Sequence, residues 1–193
     1  MIFARCGRLL RNTESGQVQT AFGLYAMCFL IIIGMAQFQL AACRASADYL
    51  EDALAASDLA SALIDVREYG MTHKLVIPDP EEAYRTYREA LQTNLQLRED
   101  GSSQFVGLIS GPVEVVRYEI YNVDEEAGTV SVASLQGGGF VRRTGRLGEV
   151  KTPGSQLVRS TGVYSEVTYP LKGMFGMTIT ARKGKLAEVR RNR

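Results

Sequence analysis

The feature that most limits this chain is the run Gln17 to Cys43, QVQTAFGLYAMCFLIIIGMAQFQLAAC, which contains no Asp, Glu, Lys or Arg. A helix rises about 1.5 Å per residue and bilayer hydrocarbon takes about 20 residues to cross, so the run is long enough to span a membrane. It predicts a transmembrane helix over 17–43. Arg5, Arg8 and Arg11 precede it against Glu14 alone, whereas Arg44 just after it is soon followed by Asp48, Glu51 and Asp52. Basic residues stay on the cytoplasmic side, which predicts a single pass, a cytoplasmic N-terminus and an extracytoplasmic remainder.

Beyond the span lie roughly 150 residues, enough for one domain with a real core. The 193-residue chain has a net charge of +1, so no excess of basic groups points to nucleic acid, and none is expected as a partner. Cys6 lies in the leader, Cys28 in the span and Cys43 at its end. The external domain therefore has no cysteine pair to bridge, and no Cys/His set has metal-site spacing. No metal and no cofactor are expected.

Three fates compete for the N-terminus. The apolar run exceeds the roughly 7 to 15 residues of an ordinary secretory signal, which favours an uncleaved anchor. Leu40-Ala41-Ala42-Cys43 has the form of a lipobox, in which Cys43 would carry a lipid after cleavage. ESGQVQTAF, Glu14 to Phe22, has the layout of a prepilin-type signal: a short basic leader ending in Gly16, a polar residue, then an apolar helix with no gap.

Gly16-Gln17, the apolar run, Phe38 near its outer end and the Ala-rich LEDALAASDLASALID from Leu50 to Asp65 occur in that order. In this the first 70 or so residues resemble the TadE-like pseudopilins of Tad (tight adherence) pilus and secretion systems, which are related to type IV pili. The resemblance implies processing between Gly16 and Gln17 by a prepilin-type peptidase. It also implies a stem over Thr20–Leu40, carried by Phe22, Tyr25, Phe29, Leu30, Ile31, Ile32, Ile33 and Phe38, that packs against membrane lipid and other pilin-like subunits as assembly machinery draws it out. Pilins of this broad class usually carry Glu at the fifth mature position, where this chain has Ala21, which implies a minor, tip or initiating subunit rather than the bulk one.

Past the span, residues 44–70 predict an amphipathic continuation of the helix. Leu50, Ala53, Leu54, Ala60, Leu63, Ile64 and Val66 form its apolar stripe, Asp48, Glu51, Asp52, Asp58, Asp65 and Glu68 its wet side, and Gly70 its stop. The head is then residues 71–193. Leu75–Ile77 suits a short strand, and His73, the only histidine, a surface position. Asp79, Pro80 and Glu82 mark the start of a second helix whose Tyr84, Tyr87, Leu91 and Leu95 face a core.

From Gly101 the period shortens to two. Val116, Tyr118 and Ile120 alternate with Arg117, Glu119 and Tyr121, giving one buried and one wetter face and, with Thr129–Leu135, a hairpin from about Val113 to Leu135. Gly137-Gly138-Gly139 lacks the Lys-Ser/Thr of a phosphate loop and reads as a flexible connection. Arg142, Arg143, Arg146 and Lys151 fall in a Gly-rich stretch, 142–155, expected as an exposed loop able to meet an acidic partner. Val158–Tyr169 and Gly176–Arg182 read as closing strands, with Thr168–Ala181 also resembling those of pilin-like proteins and Lys183–Arg193 as a basic tail.

The expected fold is α+β, with a long N-terminal transmembrane helix continuing into a head that has a second helix and an antiparallel sheet. No set of residues suggests catalysis. The expected function is structural, with a single-pass or lipid-anchored extracytoplasmic binding module as the alternative.

Overall fold

The computed structural model describes residues 3–104, 109–172 and 177–190, with residues 3–15 as backbone only. Its elements are α1 (Phe3–Ser61), α2 (Val66–Thr72), α3 (Pro80–Asn94), β1 (Glu114–Asp124), β2 (Thr129–Gln136), β3 (Gly139–Arg146), β4 (Gly162–Lys172) and β5 (Thr178–Glu188). The five strands form one antiparallel sheet in the order β3-β2-β1-β4-β5, so the fold is α+β as expected. The chain divides into two units, one through Ala42 and one from Cys43 onward.

In the first unit α1 is helical through the uncharged run, and this helix is long and apolar enough to cross a membrane. In the second unit the rest of α1 buries Ser46, Leu50, Ala53, Leu54, Ser57, Asp58 and Ser61. Their spacing of three and four residues makes them one helical face. Asp58 was expected on the wet side and is instead 0% exposed, while Leu63 and Val66, expected in the stripe, are exposed.

The stripe breaks because the helix does. α1 ends at Ser61, the backbone turns over 62–65, and Asp65 caps α2 by accepting hydrogen bonds from the amides of Arg67 (2.9 Å) and Glu68 (3.0 Å). Gly70, read as the stop, lies inside α2, and His73 ends that helix in the left-handed region at φ 55°. Leu75–Ile77 is not a strand. It is stitched to the end of the sheet by side chains, with both backbone groups of Ile77 paired to the Asn122 amide and the Leu75 carbonyl accepting from Thr161 Oγ1 at 2.7 Å.

α3 starts as its sequence dictates. The Asp79 carboxylate accepts from the Glu82 amide at 3.0 Å, and Pro80 takes the first turn, where a missing N–H costs nothing. Its Tyr87 and Leu91, with Leu95 at its cap, are buried together with Leu50, Leu54, Tyr118, Ile120, Val163 and Val167. The Tyr84, Tyr87, Tyr118 and Phe140 rings pack at centroid separations from 4.9 to 6.3 Å, contacts that add to area burial.

The second face of the sheet is not wet at its centre. Tyr121, Val123, Val130, Val132 and Tyr164 are buried under Leu147, Val150 and Val158 of the 147–158 segment. Glu119, on the same face, is buried and accepts from the Tyr121 hydroxyl and from Ser134 Oγ at 3.2 Å. Val116 is exposed because β1 bulges between Val115 and Arg117, which leaves it out of register.

Two further differences lie at the edges of the sheet. Residues 139–146, expected as connection and loop, are strand β3, paired with β2 along its whole length. Gly137 and Gly138 make the tight turn before it at φ 58° and 89°, conformations that favour glycine. β5 runs six residues into the expected tail, held by Lys183 and Lys185, each 2.6 Å from a Glu51 carboxylate oxygen on α1. Gly176, where the last strand was expected to begin, lies outside the described residues.

Candidate functional site

The residues singled out in the sequence fall in places that do not meet. Gly16 and Gln17 are exposed within α1, where the Gly16 carbonyl accepts from Thr20 Oγ1 at 2.8 Å, so the candidate processing site has helical backbone. Phe22, Tyr25, Phe29, Leu30, Ile31, Ile32, Ile33 and Phe38 are all exposed, Phe22 at 75% and Phe38 at 76%. In water, leaving one such side chain uncovered forgoes about 1.5–3 kcal/mol, so the run as a whole forgoes on the order of 20 kcal/mol. An uncharged, uncovered surface of this extent is of the kind that lipid or other apolar helices cover.

Cys43 is a half-buried free thiol inside α1, and Cys28 is an exposed one. Acylation of Cys43 would require cutting the helix between Ala42 and Cys43.

The basic residues at the far edge do not form one loop. Arg142 and Arg143 are neighbours in β3, paired across the sheet with Ala133 and Val132, so their side chains leave opposite faces. Arg143 lies 3.9 Å from the buried Glu119, Arg146 is 3.6 Å from Glu149, and Lys151 forms an isolated bridge with Leu157. A charged edge of this kind hinders pairing with another strand.

A cleft of about 580 Å³ opens at one end of the sheet between His73, Lys74, Asp124, Glu126, Arg159 and Ser160. Its charges largely satisfy one another. Lys74 lies 2.9 Å from Asp124 and 3.1 Å from Glu126, and Arg190 lies 3.0 Å from Glu188. The amides of Ala127 and Glu126, together with Lys74, hold the Asp124 carboxyl below its ordinary range. Among the described residues no group of three or more His, Cys, Asp or Glu is placed to hold a metal ion.

Sequence reasoning missed a buried polar seam. Ser57, Asp58 and Ser61 of α1 meet Asn94 at the end of α3, Tyr118 of β1 and Ser165 of β4. Burial pushes the Asp58 carboxyl well above its ordinary range, with Ser165 opposing the shift. Burial likewise raises the Tyr118 phenol, and raises Tyr87 with the charge of Asp58 adding to it. The signal was present, because Ser57, Asp58 and Ser61 continue the helical spacing of Leu50, Ala53 and Leu54.

No family model, no curated protein and no solved structure matches this chain.

Proposed function

We propose that the chain is a structural or assembly subunit, a minor pilin or pseudopilin, of a Tad-like apparatus related to type IV pili. The observation that carries the reading is the surface of Gly16–Met35. Every residue there is exposed, and among the described residues none packs over it. Such a helix serves equally in lipid and against like helices, which is what a subunit drawn from membrane into filament needs.

Under this reading a prepilin-type peptidase cuts between Gly16 and Gln17, and the mature chain keeps the whole apolar stem. The N-terminus starts in the cytoplasm, the head lies outside, and the partners are lipid first and neighbouring pilin-like subunits afterwards. Ala21 leaves the stem without the acidic group that would neutralise a neighbour's terminal amine. That suits a subunit used once, at a tip or in initiation, better than one repeated along a filament.

A photo-crosslinking residue at Phe29 or Phe38, irradiated in the native membrane, tests the packing role. Protein adducts carrying a second apolar-stem subunit are expected. Lipid adducts alone, in cells assembling the apparatus, would refute it.

A further inference from the structure

The unpartnered polar groups of the head cluster in one place. Among the described residues, the buried side-chain oxygens without a well-aligned hydrogen bond are both carboxylate oxygens of Asp58, Tyr87 Oη, Ser165 Oγ and Ser160 Oγ, although Ser165 lies close enough to Asp58 and Tyr87 to act on both. All but Ser160 belong to the seam between the end of α1 and the sheet. Buried polar atoms without partners are uncommon in folded proteins, and four in one spot call for a physical explanation. An ionised carboxylate held there without a counter-charge would be more costly still.

Among the described residues the groups around Asp58 offer no cation. From α3 it faces Tyr87, with Tyr84 beyond, from β1 Tyr118, and from β4 Ser165. Ser165 stands opposite Lys185 in the β4–β5 ladder, but Lys185 and Lys183 of β5 are both engaged by Glu51, two turns earlier on α1. A neutral acid resolves much of the problem, because a protonated carboxyl can donate to one of the orphaned oxygens and accept from another.

Apolar burial holds α1 through Leu50, Ala53 and Leu54, but the last turns of the helix bury only Ser57, Asp58 and Ser61 and expose Leu59 and Ala60. What ties them down across the seam is polar: Asn94 Nδ2 donates to Ser57 Oγ at 3.1 Å, and the Tyr118 hydroxyl donates to Ser61 Oγ at 3.1 Å. Beyond Ser61 the helix has ended, with Ala62 half-buried against the core and the Asp65 amide donating to the Val76 carbonyl at 3.0 Å.

We propose that this seam is a proton-operated latch: with a proton on Asp58 the end of α1 stays docked on the sheet, and when that proton leaves, residues 55–61 lift away to hydrate the charge. The latch stands whether or not the chain is a pilin subunit. Because the docked state holds the proton more tightly than the hydrated state, docking is strongest in acid. It weakens as pH rises above the ordinary carboxylate range, about tenfold per pH unit until the docked carboxyl has itself ionised.

Hydrogen exchange read by mass spectrometry on the full chain in detergent micelles, from about pH 5 to about pH 9 and corrected for intrinsic exchange, follows the latch directly. In the wild type the opening equilibrium of 55–61 rises about tenfold per pH unit over part of that range. In Asp58→Asn the slope disappears, while peptides in β2 and β3 behave alike in both proteins. An equal slope in Asp58→Asn would overturn the proposal. Should that variant fail to fold, carbon-13 NMR of the aspartate carboxyls in the wild type decides instead. Asp58 is expected to keep the shift of a protonated acid to higher pH than the other aspartates, and a carboxyl that titrates with them would overturn the proposal.

Discussion

Replacing Asn122 by Ala should destabilise the head by about 2–4 kcal/mol, far beyond what loss of a small half-buried side chain would suggest. The Asn122 amide accepts from the Ile77 N–H at 2.8 Å and donates to the Ile77 C=O at 2.9 Å, so it pairs both backbone groups of that residue as a neighbouring strand would. Ile77 is only 1% exposed, and water does not readily replace the lost partners. Each hydrogen bond contributes about 0.5–1.5 kcal/mol net, and each buried group left without a partner costs about 1–3 kcal/mol. Partial relaxation of the 73–79 connector should keep the total below the sum of the larger figures. Asn122→Leu, which keeps the number and branching of the side-chain heavy atoms but not the polar groups, should lose nearly as much as Asn122→Ala if the effect is polar. With nine tyrosines and no tryptophan in the chain, urea unfolding of the intact protein in micelles can be followed by the near-ultraviolet circular dichroism of the buried tyrosine cluster. A cost for Asn122→Ala below about 0.5 kcal/mol, the ordinary scatter of surface changes, would refute the reasoning that the connector depends on this amide.

The two lysines that hydrogen-bond Glu51 hold its carboxyl at about 2, well below the ordinary 4.5, so its contribution is present above pH 4.5 and lost as pH falls towards 2. Glu51→Gln should therefore cost about 1 kcal/mol or less at neutral pH, the pair being partly solvated, and the difference from wild type should vanish in acid unfolding curves. A Cβ at Gly162 would run into the Ala187 carbonyl of β5, a backbone atom that cannot move without parting the strands, whereas one at Gly139 meets nothing within 4 Å. Thermal unfolding should show Gly162→Ala losing about 2–3 kcal/mol or more and Gly139→Ala almost unchanged. With the three native cysteines changed to Ser, a single cysteine replacing the exposed Thr144 should react with a membrane-impermeant maleimide on intact cells. Labelling only after lysis would reverse the inferred orientation.

The parts of the fold that could be read from sequence are those set by local chemistry. Asp79-Pro80 fixes the start of α3 because both residues act within one turn, and the β1–β2 hairpin shows in its two-residue period and polar turn. The places where the reading went astray depend on distant partners. β3 looked like a Gly- and Arg-rich loop because its order comes from eight cross-strand pairs with β2, and the second half of β5, from Lys183, looked like a tail because Glu51 on α1 neutralises its lysines. Asp58 looked like a wet-face residue because charge outweighed position, although its spacing from Leu54 already put it on the buried side. The end of α1 at Ser61 had a visible cause in Asp65, an N-cap followed three residues later by Glu68, which the more obvious Gly70 obscured. The long apolar helix was legible throughout, since a run without charge shows in the sequence regardless of what the rest of the chain does.

The central claim, that the uncharged helix is the retained stem of a pilin-like subunit, is tested most directly by the mass of the mature chain and of its N-terminal peptide, purified from the native membrane. The account predicts a chain beginning at Gln17, with the first sixteen residues gone and the apolar helix complete. An intact leader, or a chain beginning at a lipid-bearing Cys43, would contradict it and leave an anchored external domain of another kind.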